Sequence, residues 1–288
     1  MPETRAPGGD RNATALVRLP APEQPPEQRR GDVDEWGRSE RVRDRLRRLY
    51  DPVYRLWFRA EWEGLEHIPR TGGALLVANH AGAVPTDAPL LMHGIETELR
   101  RPVYGLADSL FRAAPFVGTI WARGGGVAAH PDNAYRLLRE QQQLVLVFPE
   151  GTKATGKPWS QRYELQRFGR GGFVEIAMRA GVPIVPITIV GGEEAMPTVA
   201  TFPTLARLLG LPYAPLTLNM LLLGPVGLVT SFPAKFRFRA LPPVRFDVAP
   251  DQEHYRRGMV YDAAEAIRQQ MQESLLDMLR HRRSVWAG

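Results

Sequence analysis

The sequence predicts an α/β fold, a mixed sheet flanked by helices. Three observations carry this. Four short apolar runs of strand length recur from residue 73 onward. Stretches with helical periodicity stand between them. Hydrophobic residues make up 44% of 288 residues, enough for a substantial core.

The strand-like runs are "ALLVAN" (74–79), "PVYGLA" (102–107), "QLVLVF" (143–148) and "PIVPITIV" (183–190). Helical patterns occupy "NAYRLLREQQ" (133–142) and "GGFVEIAMRAG" (171–181). Pro183 and Pro186 each lack a ladder donor, which argues for an edge strand or one shaped for a groove. "FRFRALPPVRFDV" (236–248) adds late strands. "DAAEAIRQQMQESLLDMLRHRR" (262–283) reads as a long C-terminal helix, striped by Ile267, Met271, Leu275 and Leu279.

The N-terminal end differs. Residues 1–35 are rich in Pro, Arg, Glu and Gly and hold no aromatic, so they read as a disordered tail before a domain over 36–288. Residues 39–60 read as an amphipathic helix with Val42, Leu46, Leu49, Val53 and Leu56 in a stripe. Arginines fill most of its other faces, and Pro52 should kink it. Such a helix suits an anionic membrane surface, or docks on the body with a solvated arginine face. From Leu208 to Ala234 no charged residue occurs. Its prolines and glycines leave backbone groups hard to satisfy in lipid, so a buried or interfacial hairpin is expected rather than a span.

Composition narrows the classes. The net charge is +6, and only Lys153, Lys157 and Lys235 are lysines. Arginine excess suits phosphate or anionic surfaces. A GC-rich genome accounts for it equally. There are no cysteines, which excludes disulfides, thiolate nucleophiles and cysteine metal sites. No basic start followed by an apolar run marks a signal peptide. The six histidines show no metal-ligand spacing, and no nucleic-acid motif accompanies the basic charge.

Two stretches carry chemistry. In "ANHAGAVPTDAPLL" (78–91), His80 follows an apolar strand and Asp87 opens the next helix. Imidazole can take a proton from an alcohol, and a carboxylate on its other nitrogen would fix the tautomer. The same residues also fit a capped strand-to-helix turn. In "FPEGTK" (148–153), Gly151 lets backbone approach a ligand. Thr152, Lys153 and backbone N–H groups can hold a phosphate, and Glu150 can accept from a ligand hydroxyl. Arg170 in "FGRGG" (168–172) precedes a helix and could meet a phosphate or a coenzyme A. "RGGGVAAHPDNAYRLL" (123–138) lacks phosphate-loop spacing and reads as a plain loop before a helix.

Taken in order, "NHAGAVPTD", "GTIWARGGG" (118–126), "FPEGTK" and "VPIVPI" (182–187) resemble four ordered blocks of the lysophospholipid and glycerolipid acyltransferases, typified by 1-acyl-glycerol-3-phosphate acyltransferase. The resemblance covers roughly residues 45–245. Three departures stand out. Six residues rather than four separate His80 from Asp87, similar to a long-loop branch that includes diacylglycerol-acyltransferase-like proteins. Arg123 lies one residue from the family's arginine spacing. Lys153 replaces an arginine, which keeps charge but loses the bidentate fork.

The resemblance implies a glycerolipid acyltransferase-like fold and an O-acyltransferase. His80 and Asp87 would be catalytic, with Arg123, Glu150, Gly151, Thr152, Lys153 and Arg170 binding substrate. The acyl donor would be acyl-CoA or acyl-carrier protein as co-substrate, with no cofactor or metal. The acceptor would be a lysophospholipid such as lysophosphatidic acid. A neutral acceptor (diacylglycerol or a long-chain alcohol) is the alternative, as is a non-catalytic lipid-binding protein on the same fold. The expected partner is a membrane lipid surface rather than nucleic acid, and the expected location is the cytoplasmic face, held peripherally.

Overall fold

Strand β2 (Ala74–Ala78) is buried along its whole length. Its side chains alternate, so Leu75 and Val77 join one apolar cluster while Leu76 and Ala78 join another. A strand buried on both faces belongs at the centre of a parallel sheet. The computed structural model places it there. The structure describes residues 31–82, 86–107, 117–208, 213–252 and 254–288, without the side chains of Val117, Thr152 and Lys153.

The other strands are β1 (Glu61–Glu63), β3 (Val103–Ala107), β4 (Gly126–Ala128), β5 (Leu144–Val147), β6 (Ile184–Val190), β7 (Thr198–Thr201), β8 (Pro215–Thr217) and β9 (Arg237–Ala240). Seven form one sheet in the order β1-β9-β6-β2-β5-β3-β4, and β7 and β8 make a separate antiparallel pair. Every contact in the large sheet is parallel except β6 with β9, which makes it mixed. Leu76 lies opposite Leu146 on β5 and Val185 on β6.

Helices cover both faces. On one, Val174, Ala177 and Met178 of the helix Gly172–Ala180 pack with Ile267, Met271 and Leu275 of the helix Arg257–Arg280. On the other, Leu90, Leu91 and Ile95 of the helix Asp87–Leu99 pack with Phe58, Phe236 and Phe238. Each such fully buried Val, Leu, Ile, Met or Phe side chain contributes roughly 1.5–3 kcal/mol.

Four expectations are corrected. β6 is not an edge: it lies between β2 and β9 and is buried throughout. Pro186 is tolerated because its carbonyl accepts from Leu241 N, on the β9 side. Its missing donor faces that same side, so the ladder to β2 is intact. The glycine-rich stretch read as a loop contains the edge strand β4, too short at three residues to show a periodic signal. Of the late strands, only β9 and an isolated bridge from Val244 to Ile184 form. The last helix begins at Arg257, ahead of the residue 262 boundary set by its apolar stripe.

The N-terminal expectations meet the structure in part. Asp32–Gly288 form one unit, and Met1–Gly31, save Gly31, lie outside the described residues. The tail boundary at 35 is too late. Tyr104 Oη donates to Asp34 at 2.6 Å and Arg136 pairs with Glu35 at 2.7 Å. Residues Glu40–Pro52 are α-helical, capped by Ser39, and continue after Pro52 as a π-helical turn, Val53–Trp57. The buried face is not the predicted stripe. Arg43, Tyr54 and Phe58 point inward, while Leu49 and Leu56 are each 75% exposed. Buried Glu96 explains this rotation: it accepts from both Arg38 and Arg43, fixing the helix by charge. The uncharged segment holds β8, a helix Leu218–Leu223 and a turn Gly224–Leu228, with 209–212 outside the described residues. No described helix is long and apolar enough to cross a membrane.

Candidate active site

In an open parallel sheet, ligands sit beyond the carboxyl ends of the strands. β2, β5 and β6 are neighbours, and the residues that follow them, 79–80, 148–150 and 191–194, are tied together there. Asn79 straps the first to the third. Its Nδ2 donates to Ile189 O at 3.1 Å, and its Oδ1 accepts from Ile189 N at 2.7 Å. The side chain thus imitates one more rung of the sheet, and His80 emerges from a fixed backbone.

His80 Nδ1 donates to Asp87 Oδ2 at 2.8 Å. The same oxygen accepts from Ala81 N at 2.8 Å, and Oδ1 accepts from Ala88 N at 2.8 Å. Asp87 is fully buried at the first turn of the helix Asp87–Leu99, where the helix dipole favours a carboxylate. His80 keeps 12% of its side chain exposed and stacks on Phe148, with ring centroids 4.3 Å apart. With Nδ1 committed to Asp87, Nε2 is the nitrogen left to take a proton. Burial pulls the imidazole pKa down, but the charge and hydrogen bond of Asp87 outweigh it and raise the pKa above the ordinary histidine value. The long-loop spacing therefore still produces a His–Asp pair, although residues 83–85 of that loop lie outside the described residues.

Glu150 is tied to the protein through both carboxylate oxygens. It is buried, Oε1 accepts from His80 N at 3.1 Å, and Oε2 accepts from Gln166 N at 2.7 Å. It is a strut between two loops. Burial pushes its pKa up, against the nearby Lys157 and the two N–H donors. Gly151 follows with φ +63°, a left-handed conformation that glycine adopts without strain, and Gly151 is exposed. Thr152 and Lys153 begin a short helix ending at Thr155, and their side chains lie outside the described residues.

Lys157 and Glu193 are functional candidates that the sequence reading missed. Both are buried, and Lys157 Nζ sits 3.1 Å from Glu193 Oε1 while donating to Glu164 O at 3.1 Å. Burial raises the Glu193 pKa and Lys157 opposes it. The pair joins the loop after β5 to the turn after β6, and the lysine charge reaches both Glu150 and His80.

The acyltransferase family model matches residues 59–190, the region that holds this arrangement up to the end of β6. An uncharacterized protein of Mycobacterium tuberculosis is 38% identical over 259 residues, spanning 89% of this chain and 72% of that protein. The chain belongs to the acyltransferase family. A further relative, the DGAT1/2-independent enzyme synthesizing storage lipids of Bos taurus, is 24% identical over 202 residues, 69% of this chain and 56% of its own length. The crystal structure of the 1-acyl-sn-glycerophosphate (LPA) acyltransferase PlsC from Thermotoga maritima superposes with a TM-score of 0.52 at 18% identity, covering 84% of each chain. That likeness is one of fold.

The cations of this acyltransferase are dispersed. Arg123 Nη1 donates to Gly37 O at 3.3 Å, and Arg123 O accepts from Ser39 N at 3.1 Å. Among the described residues it makes no hydrogen bond or ion pair to His80, Asp87 or Glu150. Arg123 thus ties the N-terminal segment to the body. Arg170 is exposed in the turn before the helix Gly172–Ala180 and is available to an anion.

Proposed function

We propose that the protein moves a fatty acyl group from acyl-CoA or acyl-carrier protein to a hydroxyl of a glycerolipid, with His80 as general base. The observation that carries this is the 2.8 Å His80–Asp87 bond at the carboxyl edge of a central strand. His80 Nε2 takes the proton of the acceptor hydroxyl as its oxygen attacks the thioester carbon. Asp87 holds the tautomer and stabilises the imidazolium. The tetrahedral oxyanion, stabilised by positioned N–H groups, collapses with loss of the thiolate. His80 returns its proton to that thiolate. No acyl-enzyme is required. Gly151 to Lys153 and Arg170 would hold the acceptor or the donor's phosphates. The enzyme would act from the cytoplasmic face of a membrane, held peripherally.

A lysophospholipid is the first acceptor class, on the strength of the "FPEGTK" block. A second reading, a neutral acceptor such as diacylglycerol or a long-chain alcohol, is favoured by the tie of Arg123 to Gly37 and by the bovine relative's name. Labelled acyl-CoA offered with lysophosphatidic acid, other lysophospholipids and diacylglycerol separates them. A phosphate-bearing acceptor should lose at least about tenfold in kcat/KM with Arg170→Ala if that charge contact is made, while a neutral acceptor should be indifferent. Turnover of none of these acceptors with either acyl-CoA or acyl-carrier protein as donor would contradict the proposal.

A further inference from the structure

Gln272 lies on the long last helix, well beyond the four motif blocks. It faces a segment without regular structure, residues 164–168, which follows the turn at Tyr163. Backbone groups of such a segment need partners from elsewhere. Gln272 supplies two of them. Its Oε1 accepts from Leu165 N at 2.8 Å, and its Nε2 donates to Tyr163 O at 2.9 Å. The side chain thus holds the segment as a neighbouring strand would. Its own helix is fixed in the core by Ile267, Met271 and Leu275.

The clamped segment leads straight to the candidate site. One residue beyond Leu165, Gln166 N donates to Glu150 Oε2 at 2.7 Å, and Glu150 Oε1 accepts from His80 N at 3.1 Å. Glu150 is buried, so a carboxylate oxygen that lost its N–H partner there would be costly. A continuous path therefore runs from the last helix through residues 165–166 and Glu150 to the backbone of His80. The turn that opens the segment is gripped a second time. Tyr163 has φ +63°, a left-handed conformation uncommon for a residue with a side chain. Its buried hydroxyl donates to Glu194 and accepts from Gly191 N at 3.1 Å, while Arg282 Nη2 donates to Glu194 Oε1 at 2.7 Å. Gln272 and Arg282 thus fix the segment from the last helix and the residues just after it.

We propose that Gln272 is a positioning residue for His80, acting through the 163–166 segment and Glu150. The inference rests on the reading of His80 as the general base. With the clamp in place, Gln166 N and Glu150 have one arrangement, and Glu150 holds the His80 N–H while Asp87 holds Nδ1. The imidazole then presents Nε2 at one point. Without the clamp, Glu150 and the His80 backbone gain freedom. A misplacement of about 1 Å in a reacting group can cost on the order of 10²-fold in rate. Gln272 touches no group assigned to the acceptor or the donor, so the loss belongs to kcat rather than to KM.

Gln272→Met removes both hydrogen bonds and keeps the length of the side chain. In the full chain it should lower kcat by at least about tenfold, with KM within about twofold of the parent. Amide hydrogen exchange should quicken by at least about tenfold at His80 N–H. It should stay as in the parent at Leu75 N–H, which donates to Pro183 O at 3.0 Å in β2. A double-mutant cycle tests the route. In a Glu150→Gln background, which already breaks one N–H contact, Gln272→Met should change kcat and the His80 exchange by less than about twofold further. Unchanged kcat or unchanged exchange at His80 overturns the proposal. Equal quickening at His80 and Leu75 also overturns it, because the substitution then loosens the whole fold. So does an equal loss in both backgrounds, because Gln272 then does not act through Glu150. A parent that transfers no acyl group, but whose His80 exchange responds as stated, supports the positioning role and contradicts the functional reading instead.

Discussion

Two opposing forces act on the His80 imidazole. Burial disfavours its cation, and Asp87 restores it with a surplus, so the folded pKa lies above the ordinary value of about 6.5. A general base works only when neutral. Acyl transfer should therefore rise with pH through that elevated pKa. Asp87→Asn removes the charge that raises it, so the rise should move to lower pH while turnover falls on the order of 10³–10⁴-fold. A pH profile of single-turnover rates checks both. Lys157→Met should act in the other direction. Its charge lowers both Glu150 and His80, so without it the loss of activity on the acid side moves to higher pH. Breaking the buried pair with Glu193 also costs about 3–5 kcal/mol, measurable by chemical denaturation, and replacing both partners with apolar groups should recover part of it. The sequence made His80, Asp87 and Glu150 legible because a strand end, a turn and a helix start bracket them. Lys157 and Glu193 were not legible: they lie far apart in the chain, and only the fold brings them together.

At the scale of elements, the site depends on how β2, β5 and β6 end together. Asn79 makes both of its side-chain bonds to the backbone of Ile189. Asn79→Ala leaves a buried N–H and C=O without partners, so it should cost about 1–3 kcal/mol and loosen His80. Thermal melts together with kcat at saturating acceptor would show both effects. Four strands, β2, β3, β5 and β6, could be read from their apolar runs, with ends within a residue, while β1, β4, β7 and β8 could not. Pro186 misled because proline is counted against a central strand, whereas the side on which its donor is missing decides. The N-terminal helix misled for a different reason. Its apolar stripe was real, but the face that docks carries Arg43, because Glu96 awaits it inside the body. Hydrophobic periodicity does not detect a helix face held by a buried ion pair.

For the whole molecule, the mixed sheet gathers three loop ends at one edge and leaves an uncharged excursion beside them. The fold class was legible from alternation alone, and the order of four motif blocks pointed to the chemistry. The strand order was not, since β9 returns beside β6 only through long-range packing. What the assembled molecule does reduces to whether His80 passes a proton between acceptor and donor. The direct measurement is acyl transfer from labelled acyl-CoA by the purified parent and by His80→Ala, with matched folding confirmed by circular dichroism. Turnover in the parent that falls by at least about 10³-fold in the variant is the predicted result. Transfer that persists in His80→Ala at a comparable rate would contradict the account at its centre.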